Sequence, residues 1–156
     1  MPKICDNKSV GMIVENSKGE IAIIFRINFP QMYACPAGHV DDNFSSPYEA
    51  AVGELGEEIG VFGANPILVL EKEYQNPCRC EGGTHHFWSV FKINYDGNLL
   101  AGSDAKNVGW KSRDEIKELI QRTKDYRSGK LAEEEWSKNP GFEDVWIDIF
   151  EDLKIF

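Results

Sequence analysis

The chain has 156 residues, of which 42% are hydrophobic and 28% are charged, and these values fit one globular domain with a sizeable core. The formal net charge of −9 argues against tight binding of duplex nucleic acid, which requires a basic surface, but it permits a small phosphate ligand held through metal ions. The N-terminal residues MPKICDNKSV lack a long apolar run, and no segment has the length of a membrane span, so we expect a cytoplasmic protein with reduced cysteines and no membrane contact.

The beginning of the chain predicts a β-hairpin followed by a loop. Residues 10–14 are apolar, and residues 21–27 (IAIIFRI) form a continuous β-branched and aromatic run that is typical of a buried strand. The NSKGE segment between them is rich in turn residues, so we expect the two strands to pair. Residues 33–36 predict a third short strand, and the following PAGHVDDNFSSP is interpreted as a loop.

Residues 46–59 predict a helix with clear signals at both ends. Ser46 is a suitable N-cap, Pro47 occupies the first helical position, and Glu49 is placed to complete a capping box. Gly60 is placed to end the helix.

The second half of the chain predicts further strands and helices in alternation. Strands are predicted at residues 67–74, 85–93 and 108–110, and helices at residues 112–122 and 142–153. Because strands and helices are mixed within one domain, the fold class is α/β or α+β, with the sheet packed against helices in a sandwich.

Three carboxylates share one face of the first predicted helix. Glu54, Glu57 and Glu58 follow the i, i+3, i+4 spacing that places side chains together on a helix surface. The neighbouring face is apolar and can pack on the sheet through Ala51, Val52, Leu55 and Ile59. Three like charges repel one another, and Mg²⁺, which prefers oxygen ligands, would relieve that repulsion. A solvated acidic helix face is the alternative interpretation of the same pattern.

The segment GHVDDNFSSPYEAAVGELGEEIGV at residues 38–61 resembles the Nudix box. The family pattern opens with a glycine, continues with a glutamate after a short gap, and closes with R-E-U-x-E-E-x-G-U, where U is aliphatic. In this sequence the matching positions are Gly38, Glu54, Leu55, Glu57, Glu58, Gly60 and Val61.

The resemblance implies a single Nudix domain over residues 1–156, folded as an α/β/α sandwich with a mixed β-sheet. It implies a hydrolase that uses Mg²⁺ or Mn²⁺ to cleave a pyrophosphate bond in a nucleoside diphosphate linked to another group. Glu57, Glu58 and the carbonyl of Gly38 would be metal ligands, and Glu54 would be a ligand or the general base. The partner would be a small nucleotide-type substrate, and a homodimer is compatible with the family.

Arg26 is the candidate substrate-binding residue. In Nudix proteins a basic residue at the end of the second strand often lies near the substrate, so the resemblance implies a contact of Arg26 with the substrate. A surface arginine at the end of a strand is the alternative.

The sequence departs from the box at two positions that bear on activity. Gly53 stands where the family has an arginine that orients the glutamates, and Phe44 or Ser45 stands where the first glutamate is expected. The loop is one residue longer than usual, and Asp41 or Asp42 could replace that glutamate. These departures support a second hypothesis, in which the chain is a catalytically weak or inactive Nudix-fold module that binds a nucleotide.

A zinc site is not favoured by the cysteine spacing. Cys78 and Cys80 lie near His85 and His86, but they form C-x-C rather than the usual C-x₂-C pair. The two histidines begin a predicted strand and therefore point to opposite faces, so only one of them is expected near the site.

Overall fold

A mixed β-sheet forms the centre of the structure, a computed structural model that describes residues 4–41, 43–78, 80–103 and 105–156. The strands are β1 (Lys8–Glu15), β2 (Ile21–Arg26), β3 (Tyr33–Ala34), β4 (Ala37–His39), β5 (Ile67–Tyr74), β6 (His86–Asn94) and β7 (Ala105–Lys111). The helices are α1 (Pro47–Ile59), α2 (Arg113–Arg127), α3 (Glu133–Lys138) and α4 (Asp144–Asp152). The mixture of strands and helices confirms the predicted fold class.

The strand order β3-β2-β1-β6-β5 places β1 at the middle of the sheet. β1 runs parallel to β6 along its whole length, whereas the pairings of β1 with β2 and of β5 with β6 are antiparallel. β2 meets β1 at the Glu15 end, and β4 meets β1 near Ser9, so two short pairings share one edge of β1. β7 continues the sheet by pairing with β2.

The core is built around β1, whose residues are buried on both faces of the sheet. Gly11 is required in this strand because a Cβ there would meet the indole of Trp146 at 2.5 Å, and Trp146 lies in α4. Trp146 also packs edge-on against Trp88 of β6, with 5.6 Å between ring centroids. Successive residues of a strand point to opposite faces of the sheet, so a strand that is buried along its length must have other elements packed on both faces.

The first helix forms as predicted, with one difference at its start. The Ser46 hydroxyl accepts a hydrogen bond from the Glu49 N–H at 3.2 Å, Pro47 occupies the first turn, and Gly60 ends the helix at φ 72°. The Glu49 carboxylate, however, accepts hydrogen bonds from the N–H and hydroxyl of Ser45. In the predicted capping box the Glu49 carboxylate would accept from the N–H of Ser46. In the structure it accepts from Ser45, the residue before the N-cap.

The structure also differs from the predictions at residues 37–39 and at the start of the last helix. Residues 37–39 were predicted as loop, but they form β4 because β1 offers them an antiparallel partner with Gly38 opposite Val10. The last helix begins at Asp144 rather than at residue 142, because Phe142 is buried and forms a parallel bridge with Tyr33. Within the described part of the chain, no helix combines the length and apolar character needed to cross a membrane.

Candidate active site

The contact between α1 and β4 brings predicted ligand residues together. A Cβ atom on Gly38 would overlap the carboxylate of Glu54, so only glycine permits this close approach. Glu58 lies one helical turn beyond Glu54, and its Oε2 accepts a hydrogen bond from the N–H of Ala37 at 3.1 Å. The backbone at Gly38 therefore lies between two carboxylates of the same helix.

These residues line a cleft of about 260 Å³. Gly38, Glu54 and Glu58 share its lining with Arg26 at the end of β2 and with Glu143 just before α4. The cleft is also lined by His39, Asp41, Asn76, Cys78, Cys80 and His86. Asp41 is thus placed near the carboxylates, as the alternative to the missing box glutamate requires, whereas Asp42 lies outside the described residues.

Glu57 has a different position from the other two glutamates. It is exposed on α1, and it is not among the described residues that line the cleft. The helical spacing predicts three neighbouring carboxylates, and in the structure Glu54 and Glu58 line the cleft whereas Glu57 is exposed on the same helix.

Arg26 forms an ion pair with a carboxylate that the sequence did not identify. Its Nη1 lies 3.6 Å from Oε2 of Glu143, and its Nη2 donates to the carbonyl of Phe29 at 3.2 Å. Glu143 is only 6% exposed, and burial raises its pKa, with Arg26 opposing the rise and Asp144 adding to it. Within the described residues, the buried atoms Arg26 Nε and Glu143 Oε2 have no hydrogen-bond partner, and the ion pair between the two side chains partly compensates for their burial.

The two departures from the box contact each other. A Cβ atom on Gly53 would overlap the ring of Phe44, which is half-buried and packs against the core. The aromatic ring thus occupies the space beside α1 that a larger residue at position 53 would need. Gly53 and Phe44 are therefore packed against each other, and a larger residue at position 53 would require the ring of Phe44 to move.

A second cavity of about 540 Å³ adjoins the cleft. The two share the lining residues Phe29, Pro30, Asn76, Pro77 and Glu143. Tyr126 and Trp136 line the second cavity and stack on each other with 4.1 Å between ring centroids and 8° between planes. The cleft with its charged residues therefore opens towards an aromatic cavity.

The donor set on α1 and β4 fits the predicted Mg²⁺ or Mn²⁺. The carboxylates of Glu54 and Glu58 line the cleft beside the backbone of Gly38 and supply oxygen ligands, which hard divalent cations prefer.

The two adjacent histidines separate as predicted. His86 is buried beside the cleft, whereas His85 is exposed and lies 3.6 Å from Glu73. Burial lowers the pKa of His86, and its hydrogen bond to the carbonyl of Asn76 opposes this shift. Sequence reasoning missed Glu143 and His39 as cleft residues, because neither stands at a spacing that marks it.

Comparison with known proteins agrees with this geometry. The family model described as the NUDIX domain matches residues 6–133. Over 117 residues the chain is 31% identical to a Rhodococcus erythropolis protein described as an uncharacterized Nudix hydrolase. That alignment covers 65% of this chain and 60% of the relative, so the chain spans less than two thirds of that protein.

Solved structures show the same fold at low identity. The Escherichia coli dihydroneopterin triphosphate pyrophosphohydrolase has a TM-score of 0.60 and 16% identity over 69% of this chain and 82% of its own. The NUDIX domain of Shewanella oneidensis NrtR, solved with ADP ribose, has a TM-score of 0.62 and 10% identity over 84% of this chain and 90% of its own. These similarities concern the arrangement of the mixed sheet and its helices.

Proposed function

This chain belongs to the Nudix family, and from that premise we propose that it is a hydrolase cleaving the pyrophosphate bond of a nucleoside diphosphate linked to another group. The observation that carries the proposal is the convergence of Glu54, Glu58 and the Gly38 backbone on one wall of a cleft. A merely acidic helix surface would not require a glycine on the neighbouring strand.

We propose that Mg²⁺ or Mn²⁺ is held by Glu58, by Glu57 and by the carbonyl of Gly38. When bound, such an ion would neutralise part of the charge on the phosphates and would lower the pKa of a water molecule bound to it. Glu54 is a further ligand or the general base that accepts a proton from the attacking water. Its position against Gly38 keeps its carboxylate within the cleft in either role.

Arg26 is proposed to bind a phosphate oxygen of the substrate. Its guanidinium is held by Glu143 and by the carbonyl of Phe29, and its side chain, which is 27% exposed, lines the cleft. A guanidinium held in this way presents a planar donor group without losing much side-chain freedom on binding.

The group linked to the diphosphate is proposed to enter the adjoining cavity. This cavity has room for a ring system, and Tyr126 and Trp136 give it an aromatic lining. Both cavities use Glu143, which lies beyond the matched residues 6–133, so the functional domain is proposed to extend through residue 156. We also propose that the enzyme works in the cytoplasm, whose reducing conditions keep its four free cysteines as thiols.

The alternative is a Nudix-fold module that binds a nucleotide with little or no turnover. The packing of Phe44 on Gly53 supports it, because the ring lies where the orienting arginine that the resemblance implies at position 53 would need space. The retention of Glu54 and Glu58 in the cleft speaks for catalysis.

A turnover assay separates the two functions. Release of phosphate or nucleotide is measured over a panel of nucleoside diphosphate derivatives with Mg²⁺ or Mn²⁺, for the unmodified chain and for Glu58→Gln. The hydrolase hypothesis expects metal-dependent turnover that collapses in the variant. Nucleotide binding without turnover for every substrate class would reject it in favour of the binding module.

A further inference from the structure

Four side chains with metal-binding atoms meet beside the cleft, and they come from four separate segments. Cys5 precedes β1, His39 ends β4, Cys78 lies in the connection between β5 and β6, and His86 begins β6. Their Sγ and imidazole nitrogen atoms all lie within 4.8 Å of one another. Cys5 and His86 are buried, and the other two residues are half-buried. We call these four residues the Cys/His cluster.

Four distances within the cluster are close to the edges of a tetrahedral zinc site, and every pair of its ligand atoms lies within 4.8 Å. The two sulfur atoms are 3.7 Å apart, and the two Nε2 atoms of His39 and His86 are 3.3 Å apart. Sγ of Cys5 lies 3.1 Å from Nε2 of His86 and 3.8 Å from Nε2 of His39. Zinc bonds of about 2.3 Å to sulfur and about 2.0 Å to nitrogen give tetrahedral edges of about 3.8, 3.3 and 3.5 Å for S–S, N–N and S–N.

Hydrogen bonds with neighbouring backbone groups orient the cluster's side chains and favour the protonation states that bind a metal ion. Nδ1 of His86 donates to the carbonyl of Asn76 at 2.9 Å, which places the ring proton on Nδ1 and directs the lone pair of Nε2 into the cluster. The backbone N–H of Asn7 donates to Sγ of Cys5 at 3.3 Å, and that of Cys80 donates to Sγ of Cys78 at 3.4 Å. Each sulfur therefore has a donor that stabilises a thiolate.

We propose that Cys5, His39, Cys78 and His86 bind one Zn²⁺ ion in a closed tetrahedral site. The two thiols bind as thiolates and release their protons to solvent, so the charge of the ion is neutralised by its ligands. Four protein ligands leave no open position, which is the arrangement of structural rather than catalytic zinc. A disulfide between the two cysteines would leave the convergence of the two histidine nitrogens without a cause.

Such an ion would fix the wall of the cleft. It connects the N-terminal segment, β4 and both ends of the connection between β5 and β6, and a hydrogen bond from the N–H of Cys5 to the carbonyl of Glu81 joins the same segments. His39 directly follows Gly38, so the ion holds β4 at the point where its backbone meets Glu54. The role of the zinc is positional, and it is separate from the metal proposed at the carboxylates.

The C-x-C spacing of Cys78 and Cys80 does not mark this cluster in the sequence. Cys78 binds in this proposal without Cys80, and its partners stand far from it along the chain. Cys80 is therefore a matched control, since it lies two residues away and outside the cluster. Glu58 is the control for the carboxylate site.

The first experiment measures zinc in the full chain, purified under reducing conditions without a metal-affinity tag and dialysed against buffer with Mg²⁺. We expect about one zinc per chain by mass spectrometry of the metal, retained in Cys80→Ser and Glu58→Gln and reduced to less than about a tenth in Cys78→Ser. Zinc lost from Glu58→Gln and kept in Cys78→Ser would overturn the proposal, as would an unmodified chain that takes up no zinc when it is supplied.

A second measurement does not depend on whether Cys78→Ser folds. X-ray absorption at the zinc edge of the unmodified chain should show about two sulfur neighbours at about 2.3 Å and about two nitrogen neighbours at about 2.0 Å. Shells made only of oxygen and nitrogen would overturn the proposal even at full zinc content, because they would place the ion on carboxylates. This result is independent of hydrolase activity, so it stands or falls apart from the proposed function.

Discussion

The carboxylate face of α1 and the Cys/His cluster border the same cleft, but the chain builds them in opposite ways. Glu54 and Glu58 lie one turn apart on one helix, so their neighbourhood follows from local geometry. The cluster needs Cys5 and His86 to meet across 81 positions of sequence, and the parallel pairing of β1 with β6 brings their segments together. The carboxylate face can therefore be predicted from local sequence spacing. The Cys/His cluster cannot, because it depends on long-range strand pairing.

The two regions should also respond differently when they lose their ions. An ion on the carboxylates of one helix crosslinks few parts of the fold, whereas an ion in the cluster joins four segments. Loss of the first should affect chemistry, and loss of the second should affect stability.

The largest expected effect is on stability after zinc is removed. Chelation should lower the free energy of unfolding by about 4 kcal/mol if free zinc had stood at about 1,000 times its dissociation constant. Urea unfolding followed by circular dichroism, before and after treatment with a zinc chelator, measures this change. Withdrawal of Mg²⁺ alone is the control, and an equal loss of stability in that control would contradict the distinction between the regions.

The second effect concerns turnover and tests the carboxylate face. Glu58→Gln should lower kcat by about 10²-fold or more, since losing even an outer partner of a metal costs about 10-fold to 100-fold. The loss should exceed that of Glu57→Gln, because Glu57 is exposed and Glu58 also accepts the N–H of Ala37. Steady-state kinetics at saturating Mg²⁺ gives both values. A larger loss in Glu57→Gln would show that the exposed carboxylate is the principal ligand.

A third prediction concerns Glu143, a buried carboxylate just before α4 that lines the same cleft. Burial raises its pKa, so the folded chain retains a proton that the unfolded chain has released. The free energy of unfolding should therefore fall as pH rises from the ordinary glutamate pKa of roughly 4.3 towards the raised value, by at most about 1.4 kcal/mol per pH unit.

The matched variant for this titration is Glu143→Gln, which keeps the shape without the charge. The stability of the unmodified chain, measured by urea unfolding across this pH window, should fall relative to the variant as pH rises. A difference that stays constant with pH would show that Arg26 balances burial at this site, and one that grows in the opposite direction would show that Arg26 outweighs it.

The smallest expected effect is a difference in stability between alanine substitutions at Gly53 and at Gly56, which both lie within α1. Gly53→Ala should destabilise the chain by roughly 1–2 kcal/mol, because its methyl group overlaps the half-buried ring of Phe44. Gly56→Ala should stabilise it by up to about 1 kcal/mol through helix propensity. Its methyl group would meet the ring of Phe62 at 2.6 Å, but Phe62 is 81% exposed and can turn away.

Thermal unfolding of the two variants measures this difference. The double variant Gly53→Ala with Phe44→Ala is the control, since removing the ring should remove the penalty specific to Gly53. Changes of the same sign and size in both single variants would mean that helix propensity alone governs this face.

Much of the secondary structure was predictable because its signals are local. The strand at Ile67–Tyr74 has the predicted bounds, and the helix at Pro47–Ile59 begins after its serine cap and ends at Gly60. The helix after Ser112 was predicted to end at residue 122 but continues to Arg127, because its buried face extends to Thr123. The apolar side of α1 includes Ala50 rather than Val52 among its buried residues.

The sequence by itself determined the family and the presence of Glu54, Glu57 and Glu58 on one helix, because the box is a continuous segment and helical spacing is fixed by backbone geometry. Tertiary structure decided which of those glutamates enter the cleft, that Glu143 fixes Arg26, and that Phe44 fills the space over Gly53. It also assembled the Cys/His cluster from distant positions. These contacts depend on how strands pair and layers pack, and no local pattern records that information.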